Sequence, residues 1–323
     1  MIFNFEEYRY AIKQSDCKHV FIVSSPIVVF IAKLIINKFS IPSKDIIIIP
    51  ERNTYFKLIN SKSIYQKRSF IDRLIKRIFL FSYRGYQLRR KIEKDCDKFI
   101  LYCDWDNREV VEILNSKKCF GNAYIEEGQL SFNNFNTYVF KKNRISQWMR
   151  LQKWFKNVRT MSKDSNIPKF NECFNNKAFA FFTIYKEAFP LVDKNKKYNF
   201  IDFEIIRKDY VPKLTGKSNI GIMCSPRRIK TNGWNECIKL FIESIPYQSV
   251  IKLHPEFYAN GEYLNRFMEI FNLSNFKKII ICDQSTIIEA EMLFEKKVLY
   301  GPLSSLKTYT NLFGSKFIEI SIY

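Results

Sequence analysis

The stretch NIGIMCSPRRIKTNGWNECIKLFIESIPYQSVIKLHP, residues 219–255, decides the fold. It opens on NIGIMC (219–224), an apolar run without alternation, as expected of a strand buried on both faces. A polar, basic loop follows (225–232), and then a segment of helical length, 234–244. VIKL (250–253) is a second buried strand, and it runs straight into His254-Pro255. Strand, helix and strand in this order make a unit of a parallel sheet, because parallel strands need a long crossover and a helix supplies it.

The same rhythm extends in both directions. Downstream, KIIIC (278–282), a helix over 287–294 and VLY (298–300) continue the sheet. Upstream, HVFIV (19–23), DIIII (45–49), KFILYC (98–103) and NAYIE (122–126) are buried strands separated by segments of helical length, the first of them 27–39 after the turn Ser24-Ser25-Pro26. The middle of the chain, near 165–215, reads as irregular. The expectation is an α/β protein of two Rossmann-like domains facing a central cleft, 1–205 and 206–323, with ligands at the carboxyl ends of the strands.

Composition narrows the function. Lys and Arg number 53 against 32 Asp and Glu, a formal net charge of +21, which favours anionic partners. The two histidines and eight scattered cysteines form no CxxC or Cys/His cluster, so no metal site is expected, and the cysteines suit a reducing compartment. MIFNFEEYRY lacks the basic start of a signal peptide, and the apolar run 20–36 is broken by Ser24, Ser25, Pro26 and Lys33, so a cytoplasmic location is expected. Two basic segments interleaved with aromatics, 62–94 and 141–159, suit peripheral attachment to an anionic inner-membrane face. Neither a GxGxxG nor a phosphate-binding GxxxxGK[ST] loop is present, and Asp104-Trp-Asp106, spelled like a metal-binding DxD, is read as a turn before a helix.

Candidate chemistry stands at strand ends. Glu126-Glu127-Gly128 follows NAYI: paired acids raise one another's pKa and suit a general base, and Gly128 permits a sharp turn. His254-Pro255 follows VIKL, an imidazole able to serve a phosphate leaving group, on a backbone that Pro255 biases to the extended form. Ser285-Thr286 opens the helix over 287–294, where hydroxyls cap the helix or hold phosphate, and Glu289 lies one turn in, able to cap the helix or reach a ribose. Ser225-Pro-Arg-Arg228 presents guanidinium groups to a phosphate or carboxylate. The plain readings are solvated acids, a strand-end histidine, a helix cap and a charged loop.

Taken in order, EEG at 126–128, HP at 254–255 and ST at 285–286 resemble the D/E-D/E-G, HP and S/T-S/T motifs of the bacterial sialyltransferases and capsular polysialyltransferases. Ser24-Ser25-Pro26 looks like the first strand-to-helix loop of the lipooligosaccharide enzymes. The resemblance implies a GT-B fold and an inverting transferase that needs no metal or other cofactor, with a CMP-sugar as donor and a glycan or glycolipid as acceptor. It makes Glu126 or Glu127 the base, with Glu126 preferred, and His254 the group that assists departure of CMP. Ser285 and Thr286 then hold the phosphate, with Ser24, Ser25, Gly128, Ser225, Pro255 and Glu289 lining the substrates. Glu-Glu stands where many members carry Asp. Other CMP-activated acids (Kdo, legionaminic or pseudaminic acid) fit the same motifs, and so does a degenerate homologue that binds glycan without turnover. A basic nucleic-acid-binding protein fits the charge, but no nucleic-acid-binding signature is present and no specific nucleic acid is expected.

Overall fold

The computed structural model describes residues 5–12, 17–51, 59, 62–64, 82–105, 107–132, 178–190, 192–229, 233–273 and 279–321. Contacts divide the chain into two compact units: Met1–Ser24, Ile31–Pro50 and Ile59–Ile201 in the first, and Ser25–Phe30, Glu51–Leu58 and Asp202–Tyr323 in the second.

Among the described residues the first unit holds seven strands: β1 (Cys17–Val23), β2 (Ile46–Pro50), β3 (Lys62–Ser63), β4 (Lys98–Cys103), β5 (Cys119–Ile125), β6 (Ala180–Thr183) and β7 (Lys197–Asn199). They pair in the order β3-β2-β1-β4-β5-β6-β7, every pair parallel. The unbroken apolar runs explain this, since Val20, Phe21, Ile22, Phe99, Ile100 and Leu101 are all buried and only helices on both faces achieve that. Two of those helices, Tyr83–Asp95 and Arg108–Leu114, are fastened by the buried Arg84 on Glu109. The second of them starts where Asn107 caps it, its side chain accepting the N–H groups of Glu109 and Val110.

The second unit repeats the plan with β8 (Asn219–Ile222), β9 (Val250–Lys252), β10 (Ile280–Ile281), β11 (Val298–Gly301) and β12 (Lys316–Glu319), in the order β10-β9-β8-β11-β12, again parallel throughout. Trp234, Ile238, Phe241 and Ile242 of the helix Trp234–Ser244 bury one face in its core.

Three local expectations need correction. The described part of the middle segment is not irregular: β6, β7 and the helix Glu204–Asp209 lie in it. Strands of three or four residues are too short to show a period. The helix expected from Ile287 begins at Ile288, with Ile287 as its cap residue and no side-chain cap, so Ser285 and Thr286 precede the cap instead of providing it. The loop expected at 225–232 contains a 3-10 turn, Pro226–Arg228, capped by Ser225.

Among the described residues no helix is long and apolar enough to cross a membrane. The basic segment 141–159 lies outside them, as does much of 62–94.

Candidate active site

In each sheet the chain order reverses once, between β1 and β4 in the first and between β8 and β11 in the second. Crevices at such reversals, beyond the carboxyl ends of the strands, are where doubly wound sheets bind ligands. The residues singled out from sequence can be placed against these edges, one unit at a time.

In the first unit Ser24 follows β1 and Asp104 follows β4. Both are buried, and the Ser24 hydroxyl donates to Asp104 Oδ2 at 2.5 Å, while Asp104 Oδ1 accepts the Trp105 N–H at 3.0 Å. The Ser24 hydroxyl, a candidate substrate contact, thus has Asp104 as its acceptor. Ser25, the first residue of the stretch Ser25–Phe30 that belongs to the second unit, begins the turn into the helix Pro26–Lys38, its carbonyl accepting the Val29 N–H at 3.3 Å, and its buried hydroxyl has no hydrogen-bond partner among the described residues. Asp106 lies outside the described residues, among which no group of three or more His, Cys, Asp or Glu is arranged to hold a metal.

Glu126 and Glu127 follow β5, and their side chains differ in access. Glu126 is 0% exposed, and its Oε2 accepts the backbone N–H groups of Ile184 at 2.8 Å and Tyr185 at 3.0 Å, beyond the end of β6. It anchors that loop. Glu127 keeps partial exposure, while its backbone N–H donates to Ser131 Oγ at 3.0 Å. Gly128 has φ of +114°, a conformation a side chain would strain, so this turn needs its glycine.

In the second unit His254 follows β9 and caps the helix Pro255–Ala259, with Pro255 in its first turn. Its backbone is extended (φ −62°, ψ 142°), as the following proline dictates. His254 Nδ1 accepts the Glu256 N–H at 3.2 Å. An Nδ1 that accepts leaves the proton of a neutral ring on Nε2, the tautomer suited to donating. The Glu256 carboxylate accepts the Ser225 hydroxyl, pairs with Arg227 at 3.4 Å and lies 3.9 Å from the imidazole, so it joins the ends of β8 and β9.

Beyond β10 the chain forms a tight turn. Asp283 Oδ1 accepts both the N–H of Ser285, at 2.7 Å, and its hydroxyl, and the Thr286 N–H donates to Asp283 O at 3.1 Å. Lys252, buried on β9, donates to the carbonyls of Asp283 at 3.1 Å and Gln284 at 2.7 Å, tying this turn to the strand that carries His254. Burial lowers the Lys252 pKa, with Cys282, Glu289 and Asp283 opposing. Thr286 is buried, and its hydroxyl has no hydrogen-bond partner among the described residues. Glu289 is also buried, which pushes its carboxyl up to about 7, so it serves the core of the unit more than a solvent-facing ribose.

Sequence reasoning missed Glu256, Lys213 and Asp283. Glu256 was detectable as an acid two residues after the histidine. Lys213 was not, because it is 72 residues from Ser285 in sequence and only the fold brings its ammonium within 2.5 Å of that hydroxyl.

No protein-family model and no curated protein sequence matches the chain. Solved structures do match it in fold. UDP-GlcNAc 2-epimerase from Neisseria meningitidis bound to UDP-GlcNAc superposes with a TM-score of 0.53 at 12% identity, over 94% of this chain and 82% of that one. A putative UDP-N-acetylglucosamine 2-epimerase from Listeria monocytogenes gives 0.52 at 11% identity, over 95% and 79%. The S. aureus MnaA–UDP co-structure gives 0.51 at 11% identity, over 94% and 78%. Identities this low show the fold alone, and that fold is GT-B, built of two Rossmann-like units.

Proposed function

We propose that this protein is a nucleotide-sugar-dependent glycosyltransferase, and specifically one that moves sialic acid from CMP-sialic acid to a cell-surface glycan with inversion at the anomeric carbon. The reading draws its main support from one observation. His254 and the turn 283–286 stand beyond the ends of two neighbouring parallel strands, cross-tied by Lys252. An imidazole that carries its proton on Nε2 is thus paired with a polar turn, a combination suited to a departing phosphate. The GT-B fold and the order of the EEG, HP and ST motifs agree with it.

In this scheme the second unit binds the donor nucleotide and the first supplies the base. Glu127 is the better base, because a proton acceptor needs access to its substrate and Glu126 is enclosed with two N–H groups on one oxygen. The acceptor oxygen attacks the anomeric carbon as Glu127 takes its proton. Charge gathers on the leaving phosphate, where His254 donates. A CMP leaving group has one phosphate, so side chains suffice and the scheme uses no metal. The basic segments would hold the enzyme at an anionic membrane face, where glycolipid acceptors are made.

Replacing His254 by Gln should lower turnover by about 10²–10⁴ with the fold intact; a rate within threefold of wild type removes the histidine from the chemistry. A second reading, an enzyme acting on a UDP-sugar, is favoured by the UDP or UDP-GlcNAc bound in two of the fold neighbours. A donor screen separates the two: CMP-Neu5Ac, CMP-Kdo and UDP-GlcNAc, scored by nucleotide release and by epimerised product. Turnover of UDP-GlcNAc alone sinks the CMP reading.

A further inference from the structure

The turn expected to hold phosphate already contains a carboxylate. Ser285 Oγ and Ser285 N–H both donate to Asp283 Oδ1, and Lys213 Nζ sits 3.2 Å from the same oxygen and 2.5 Å from Ser285 Oγ. These groups face solvent, the Lys213 side chain being 41% and the Asp283 side chain 63% exposed. The Ser285 hydroxyl and N–H, together with Lys213, draw the Asp283 carboxyl down to about 2, so it is anionic at any physiological pH. The helix that follows, Ile288–Phe294, is only seven residues long, so its dipole is a weak source of positive potential.

Lys213 is not a wandering surface lysine at its backbone. Buried Glu291 accepts the N–H groups of Lys213 at 2.8 Å and Leu214 at 3.0 Å and the Tyr210 hydroxyl at 2.7 Å, while Tyr210 OH accepts the Ile287 N–H at 3.1 Å. The segment is pinned to the helix that follows Ser285, so the ammonium is delivered to the turn by construction. Below the turn, Lys252 spends its donors on the carbonyls of 283 and 284.

We infer that Lys213 is the cation that receives the phosphate of the donor nucleotide, and that Asp283 is a resident anion the phosphate displaces. The Lys213 and Ser285 bonds to Asp283 are all solvent-exposed, so water competes for them and opening them costs little. A phosphate oxygen then takes the place of Asp283 Oδ1 and accepts from the same three donors, the ammonium, the Ser285 hydroxyl and the Ser285 N–H, as a stronger, charge-assisted set. The inference rests on the second unit binding the nucleotide, and it deepens that reading by naming a ligand 72 residues upstream of the motif and a competitor two residues before it.

Calorimetric titration of the full chain with CMP and cytidine, and with UMP and uridine, isolates the phosphate from the base. The nucleotide should bind at least about tenfold more tightly than its nucleoside. In Lys213→Met that advantage should fall by about tenfold, with nucleoside affinity unchanged. In Asp283→Asn, which keeps an acceptor for the Ser285 N–H but loses the charge, the advantage should grow by about threefold or more. An advantage that is absent in the wild type, survives Lys213→Met or shrinks in Asp283→Asn overturns the inference. The two readings fail separately. Phosphate selectivity that responds as stated without sugar transfer sinks only the transferase, and sugar transfer indifferent to Lys213 sinks only this assignment.

Discussion

Glu126 and Glu127 are neighbours in sequence, yet the end of β5 turns one into the interior and leaves the other partly exposed. Their substitutions should therefore separate two properties. Glu126→Gln weakens two charge-assisted bonds to the loop at 184–185, a cost of about 1–3 kcal/mol that thermal denaturation would read as a lower Tm. Glu127→Gln should leave Tm within a degree or so of wild type while turnover falls by about 10²–10⁴. The opposite pattern, with Glu126→Gln folded but inactive and Glu127→Gln active, would move the base to Glu126. The paired letters of the motif were legible in the sequence. Which carboxylate is enclosed was not, because the enclosing backbone comes from residues almost sixty positions downstream.

Elements are held in register by buried carboxylates that accept main-chain N–H groups. Glu291 does for the segment 210–214 what Glu126 does for the loop after β6. Lys297, also buried, adds a bond to the Leu214 carbonyl at 2.7 Å and one to Glu295 at 2.6 Å. Replacing Glu291 by Ala would strand two N–H groups and the Tyr210 hydroxyl in the interior, costing about 3 kcal/mol or more of stability. Because the same segment carries Lys213, the variant should also lose affinity for CMP, measured by titration on the fraction that remains folded. Unchanged stability would mean that water or relaxation satisfies those donors.

Across the molecule, one buried group in each unit should contribute to stability with opposite pH dependence. Burial lowers the His19 pKa from about 6.5 to about 4, its Nδ1 resting 2.8 Å from the Tyr102 hydroxyl. Between those values the unfolded chain binds the proton and the folded first unit does not. The contribution of His19 therefore rises with pH from about 4 to about 6.5, by roughly 3 kcal/mol in all. Glu289 behaves in the opposite way: burial raises its carboxyl to about 7, so the folded second unit keeps a proton that the unfolded chain has released. Its contribution falls as pH rises from about 4.5 to about 7, by a similar amount. Scanning calorimetry of Glu289→Gln against wild type should show the variant gaining relative stability across that window. A difference that stays constant with pH would mean Glu289 is ionised in the folded protein.

Local sequence was enough for the architecture. Unbroken aliphatic runs such as IIII at 46–49 can only be strands covered on both faces, and the helix-length segments between them force parallel pairing. The strand ends at Glu126, His254 and Ser285 were readable for the same reason, since chemistry in such sheets sits where apolar runs stop. Tertiary structure alone decided what each polar group touches. The enclosure of Glu126, the engagement of Ser24 by Asp104, the Glu256 bridge to Ser225 and the delivery of Lys213 to Ser285 all join residues distant in the chain or set by turn geometry. Periodicity reports which face of an element is covered; hydrogen bonds and ion pairs depend on distances that exist only once the strands have paired.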